Sequence, residues 1–139
     1  MAADRHRHAQ GMTPRVLMDA NGLMMPVECD VRVFEELDRV LGPHDRFVPR
    51  AVLDELDGLA GGRGAAGVAA SVGADLARGR CRTIDHEAAD ADDACVELAA
   101  ERACDLVLTN DRPLRDRVLD VGVPVVGLRG TDTLAITEP

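Results

Sequence analysis

From Arg15 onward, short apolar runs that stop at polar or turn residues alternate with longer stretches of helical period. The short runs are VLM at 16–18, FV at 47–48, CRTI at 81–84, LVLT at 106–109 and VPVVGL at 123–128. Their near-continuous apolar character predicts five strands buried on both faces. The intervening segments predict helices over 30–41, 50–60, 67–78, 91–103 and 112–121. In the first of these, Val33, Phe34, Leu37, Val40 and Leu41 fall on one helical stripe. Gly122 is placed to cap the last helix, with Pro124 just beyond. Such alternation predicts an α/β fold, a three-layer αβα sandwich around a central parallel five-stranded sheet. Ligands in folds of this class gather at the carboxyl ends of the strands.

Residues 1–14 are polar and without period, which predicts a disordered N-terminal arm ahead of one domain over 15–136. His6 and His8 belong to that arm and read as tail residues rather than metal ligands, and Met12 is an alternative start. The Gly-rich stretch GGRGAAG at 61–67 follows a helix instead of a strand and lacks a GK[ST] ending. It therefore reads as a flexible link between helices, not a phosphate loop.

With 139 residues the chain is long enough to bury one core without disulfides. Cys29, Cys81, Cys95 and Cys104 form no CxxC pair and read as small buried hydrophobes of a reducing, cytoplasmic compartment. No run is long enough to span a bilayer. The only aromatics are Phe34 and Phe47, which argues against base-stacking platforms. Charge changes the picture more. The chain carries 25 acids against 16 basic residues, every one of them Arg, for a formal net charge of -9. A GC-rich genome explains missing Lys but not the excess of acids. Adaptation to high salt explains both, because a Debye length of roughly 3 Å at 1 M mutes self-repulsion.

Candidate chemistry lies in the acids. Asp19 directly follows the first strand and Asp111 follows LVLT, so both sit at the carboxyl edge of the sheet. Asp92 and Asp93 open the helix ADDACVELAAERA, and Glu55 lies about one and a half turns into PRAVLDELDGLA. Helix capping alone accounts for Asp92, Asp93 or Asp111, and a solvated helix face accounts for Glu55. Asp19 is harder to explain away, because a charge at the end of a buried strand needs a partner or a ligand. Four carboxylates within about 5 Å would repel by roughly 3 kcal/mol per pair at an effective dielectric of 20. Six such pairs exceed the ~5–15 kcal/mol stability of an ordinary domain. Proton uptake, wide spacing or a bound cation must compensate, and an all-oxygen donor set suits Mg2+ or Mn2+.

At these residues the chain resembles the PIN domain family, metal-dependent ribonucleases with a quartet of acids, over residues 15–136. Within it the chain is most similar to the archaeal and eukaryotic branch that includes the PIN nuclease of small-subunit ribosomal RNA processing. The residues are DANGLMMP at 19–26, the FVP strand leading into VLDEL at 52–56, ADD at 91–93 and VLTND at 107–111. VapC-type toxins of toxin and antitoxin pairs are more distant relatives. The resemblance implies Asp19 as first acid, Glu55 as second, the Asp92 and Asp93 pair as third, and Asp111 as fourth. At the third place the family motif fits Asp93-Ala94, whereas the helix wheel aligns Asp92 with Val96 and Ala99. Asp93 is taken as catalytic, with Asp92 beside it as a further metal ligand. Asn21, Thr109 and Asn110 stand where the family places supporting polar residues.

The resemblance thus implies an Mg2+ or Mn2+ dependent endoribonuclease of RNA-processing or toxin type. It also implies an RNA substrate, and an antitoxin, a ribosome-assembly protein or a second copy as partner. The alternative is a non-catalytic PIN scaffold that binds RNA or a protein within a larger assembly. A phosphotransfer protein would need a DxDxT-like motif or a later Lys, and the chain has DAN and no Lys. Basic tracts and a zinc ribbon, frequent in RNA-processing members, are missing. Arg50, Arg63, Arg78, Arg80, Arg82, Arg112, Arg115 and Arg117 are candidates for a local positive rim. Several are equally explained as last-turn helix residues.

Overall fold

The apolar runs form strands, and those at the centre of the sheet are covered on both faces. In the computed structural model, which describes residues 13–139, the strands are β1 (Arg15–Met18), β2 (Asp45–Pro49), β3 (Arg82–Ile84), β4 (Leu106–Leu108), β5 (Val125–Arg129) and β6 (Thr133–Thr137). They make one sheet in the order β3-β2-β1-β4-β5-β6. β1 lies between β2 and β4 and is parallel to both, with Val16 opposite Arg46 on one side and Leu106 on the other. Successive residues of a strand point to opposite faces. Val16, Leu17 and Met18 are all fully buried, so helices must cover both sides of β1. The edge strand β3 departs from the expected two-sided burial, because at the edge Arg82 and Thr83 are exposed and only Ile84 is partly covered.

The covering helices are α1 (Ala20–Glu28), α2 (Val33–Leu41), α3 (Arg50–Ala60), α4 (Gly64–Arg80), α5 (Ala91–Ala100) and α6 (Arg112–Asp120). α1 starts immediately after β1 and α3 immediately after β2, so the sheet's carboxyl edge is a row of strand-to-helix turns. The first turn of α1 lies against β4. A Cβ on Gly22 would stand 2.8 Å from Leu108 Cδ2 and 3.1 Å from its carbonyl oxygen, a fit that only glycine allows.

Several expectations need correction. The sheet has six strands, not five: β6 pairs antiparallel with β5 at the edge. Its sequence TLAIT lacks a continuous apolar run, because only Leu134 of the strand is fully buried. α1 was hidden by Asn21, Gly22 and Pro26, residues of poor helix propensity that tertiary contact tolerates here. The Gly-rich link shrinks to residues 61–63, and α4 runs from Gly64 through Arg80. α5 stops at Ala100, short of the expected 103, because Arg102 adopts φ +60°. Its guanidinium donates to the carbonyls of Ala99 and Val121 at 3.3 and 2.8 Å. Gly122 takes φ +87° just past α6, as its capping role requires.

Of the expected polar arm, residues 1–12, with His6, His8 and Met12, lie outside the described residues. Pro14 is buried and its carbonyl accepts from the Asp45 N–H at 2.9 Å, so the fold takes it in. Among the described residues no helix is long and apolar enough to cross a membrane.

Candidate active site

Two acids come from the turns that end the central strands. Asp19 follows β1 and caps α1. Its Oδ1 accepts from the Gly22 N–H at 2.6 Å and its Oδ2 accepts from the Thr109 hydroxyl at 2.6 Å. Asp19 is 4% exposed and Thr109 1%, the only polar residues buried as a whole among the described residues. Asp111 follows β4 and caps α6, accepting from the Leu114 N–H at 3.3 Å. The Thr109 hydroxyl oxygen accepts from the Asp111 N–H at 3.0 Å. One hydroxyl therefore joins the acids of two neighbouring parallel strands. Asn21 Oδ1 accepts from the Asn110 N–H at 2.9 Å and ties α1 to the same turn, while the Asn110 side chain is exposed.

The other acids come from helices. Glu55 stands on the exposed side of α3, next to the fully buried Leu56. Pro49 offers α3 no side-chain cap, and the His86 ring Nε2 takes over by accepting from the Ala51 N–H at 3.0 Å. At the start of α5 the capping acid is Asp90, which accepts from the Asp93 N–H at 3.1 Å. Glu97 accepts from the N–H groups of Glu87 and Ala88, both at 2.8 Å, and so pins the preceding loop. These bonds hold its carboxyl below the usual range. Asp54, Glu55, Asp90 and Asp92 line one open groove of about 470 Å³ between α3 and α5.

Electrostatics show which acids feel one another. Burial pushes the Asp19 carboxyl up to about 7; the bonds from Thr109 and Gly22 oppose the rise, and Asp92 and Asp111 add to it. Asp92 is raised by partial burial, then by Asp111 and Asp90, against the pull of Arg117. Glu55 is raised by partial burial, then by Asp92 and Asp90. The buried Cys95 thiol lies beneath them, raised by burial and by Asp19, Asp92 and Glu55 among others. Asp19, Glu55, Asp92 and Asp111 thus form one linked set with Asp92 at its centre.

Asp93 does not join that set in the way its motif suggests. Its carboxylate accepts from the Arg117 guanidinium at 2.8 Å, and it acts on Asp92 only as the last of several influences. Neighbouring residues on a helix point about 100° apart, so Asp92 facing the groove turns Asp93 toward α6. Asp90 was missed by sequence reasoning. Its signal was an acid one residue ahead of a helix that already starts with acids, a common capping pattern.

The expected arginine rim is much thinner than the sequence suggests. Arg50 pairs with Asp85 at 2.9 Å, Arg78 with Asp57 at 2.5 Å, Arg115 with Asp116 at 3.2 Å and Arg117 with Asp93. Arg80 lies over the Phe34 ring, 4.7 Å from its centroid.

The donor set suits a hard divalent cation. It consists of carboxylate oxygens, and no cationic side chain pairs with Asp19 among the described residues. No three His, Cys, Asp or Glu among the described residues are gathered into a ready cation cage.

Comparison with known proteins agrees with this architecture. A family profile described as "PIN like domain" matches residues 16–131. Among solved structures, the chain is similar to one described as the structure of the PIN domain endonuclease Utp24, with 22% sequence identity and a TM-score of 0.75. The match covers 90% of this chain and 92% of that one. At this identity the likeness is one of fold. No curated protein matches the chain.

Proposed function

The chain belongs to the PIN like domain family, and on that premise we propose that it is a metal-dependent endoribonuclease acting at Asp19, Glu55, Asp92 and Asp111. The observation that carries this reading is the buried Asp19 carboxylate. It is raised to about 7 with no cationic side chain beside it among the described residues, and it is linked through Asp92 to the open groove. A structural acid would be given a positive partner, as Asp93 is given Arg117. An acid left to its neighbours' repulsion is one poised for a cation.

In this reading Asp19 and Asp111 hold Mg2+ or Mn2+ from the strand ends, and Asp92 and Glu55 hold it from the groove. When bound, the ion would lower the pKa of a water and neutralise charge on the phosphoryl oxygens. Thr109 keeps the Asp19 carboxylate in a single orientation and fixes Asp111 through its backbone. Asn21 holds the turn between them. The third acid of the quartet is Asp92, with Asp93 acting on the Arg117 side. The resemblance of the DANGLMMP, VLDEL and VLTND motifs to the small-subunit ribosomal RNA-processing branch supports a processing role over a toxin role.

Cleavage of single-stranded RNA with Mg2+ or Mn2+, and its absence in EDTA, tests the reading. Asp19→Asn and Asp111→Asn should each abolish cleavage. Cleavage that persists unchanged in both variants would overturn it and favour a non-catalytic scaffold.

A further inference from the structure

A chain of net charge -9 has to hold an anionic substrate, and the described arginines differ sharply in how free they are. The guanidinium groups of Arg63, Arg82, Arg112 and Arg129 make no hydrogen bond or ion pair with the described residues. Two of these four, Arg112 and Arg129, line one hollow of about 80 Å³ together with Arg115. Arg115 is engaged only by the adjacent, exposed Asp116.

The hollow lies along β5 and is completed by Ala135 and Thr137 of β6. In the β5–β6 pairing Gly127 lies opposite Ala135, so two very small residues form the floor. A Cβ at Gly127 would come to 3.0 Å from the Thr109 carbonyl oxygen and close it. Arg112 and Arg115, three apart on α6, share the wall. The opposite rim is Thr109 and Asn110, the turn already bonded to Asp19, Asn21 and Asp111. Acids and arginines are therefore two sides of one turn.

One water needs about 10–15 Å³, so the hollow accepts a tetrahedral oxyanion but not a base and sugar. Guanidinium groups bind phosphate oxygens through paired N–H donors. We infer that the hollow formed by Arg112, Arg115 and Arg129 holds a backbone phosphate of single-stranded RNA, adjacent to the phosphate cleaved at the acids. The strand then crosses from the α3–α5 groove over Asp111 to the β5–β6 hairpin. This rests on the nuclease reading for its substrate, though not for its anion. It gives the protein a grip on RNA despite its net charge. No aromatic lines either cavity, so the grip carries little base preference.

Inorganic phosphate, titrated into the 15N-labelled chain in EDTA, should shift the amide signals of Gly127, Asn110 and Arg115. The shifts should vanish in the double variant Arg112→Gln/Arg129→Gln and in Ala135→Val, which fills the floor and leaves every charge in place. Arg112 and Arg129 are exposed, so the double variant should keep its fold. In RNA cleavage with Mn2+ that variant should raise KM roughly 10–100-fold, with kcat within about twofold. The salt dependence of binding should flatten by about 0.7 for one lost phosphate contact. Phosphate that leaves those amides unmoved, or a cleaving double variant with unchanged KM and salt slope, overturns the inference while the nuclease reading stands. Phosphate bound in the hollow of a chain that cleaves no RNA keeps the anion site and removes the nuclease reading.

Discussion

Replacing Asp19 by Asn should make the protein more stable at pH 8 while destroying its activity. A carboxyl whose ordinary value is 3.8 and whose folded value is about 7 destabilises the ionised folded state by about 4 kcal/mol above pH 7. Burial raises the folded value, so the folded chain binds the proton more tightly than the unfolded chain. Stability therefore falls as pH rises from about 4 to about 7, and stays level above. Asn removes the charge. Its amide oxygen can still accept from the Gly22 N–H, since Asn is a good N-cap. Its NH2 group would face the Thr109 hydroxyl, whose oxygen already accepts from the Asp111 N–H. That rearrangement costs about 1 kcal/mol. The net gain at pH 8 is about 3 kcal/mol, or roughly 10 °C in Tm for a domain of this size. At pH 4 the sign reverses, and the variant should melt slightly lower than the wild type. Calorimetric melts of both proteins in EDTA from pH 4 to 8 measure this directly. A Tm difference independent of pH, or a variant that melts below wild type at pH 8, would refute the argument that Asp19 is a desolvated charge. Adding Mg2+ at about 100 times its Kd should then stabilise the wild type by about 2.7 kcal/mol and leave the variant unmoved.

Four further outcomes are expected. Asp92→Asn should lower kcat/KM roughly 100-fold or more, whereas Asp93→Asn, which loses only its exposed ion pair with Arg117, should change it less than about threefold. Thr109→Val removes the hydroxyl that lowers the Asp19 value and receives the Asp111 N–H. Activity should fall roughly 10–100-fold, and the rise of activity with pH should move to higher pH, which rate measurements from pH 6 to 9 would show. Burial raises the thiols of Cys81 and Cys104 to about 11 and about 12, and Cys95 well above its ordinary value. Iodoacetamide at pH 8 should leave these three unmodified in the native chain and label them only after denaturation, as intact-mass spectrometry can count. The excess of acids predicts a Tm that climbs as KCl is raised from 0.1 to about 2 M; a flat or falling curve would count against adaptation to high salt.

The linear order of residues determined the α/β architecture, because continuous apolar runs and helical stripes are local signals that survive without tertiary context. It also placed Asp19 and Asp111 at strand ends and Glu55 on α3, since a polar residue closing a buried run has one edge to go to. Tertiary structure decided the rest. Asp92 and Asp93 differ by a rotation of about 100° on one helix, and only the fold shows that Asp93 is the one paired with Arg117 from α6, 24 residues along the chain. β6 exists only because β5 offers an edge to pair with, and its own sequence, with a single fully buried residue, is too exposed to announce it. The freedom of Arg112 and Arg129 is likewise invisible in a chain where arginine is the only cation at every basic position but histidine. Whether a guanidinium is spent on a neighbouring carboxylate or left facing a hollow depends on packing between elements distant in sequence, and only the folded chain sets those distances.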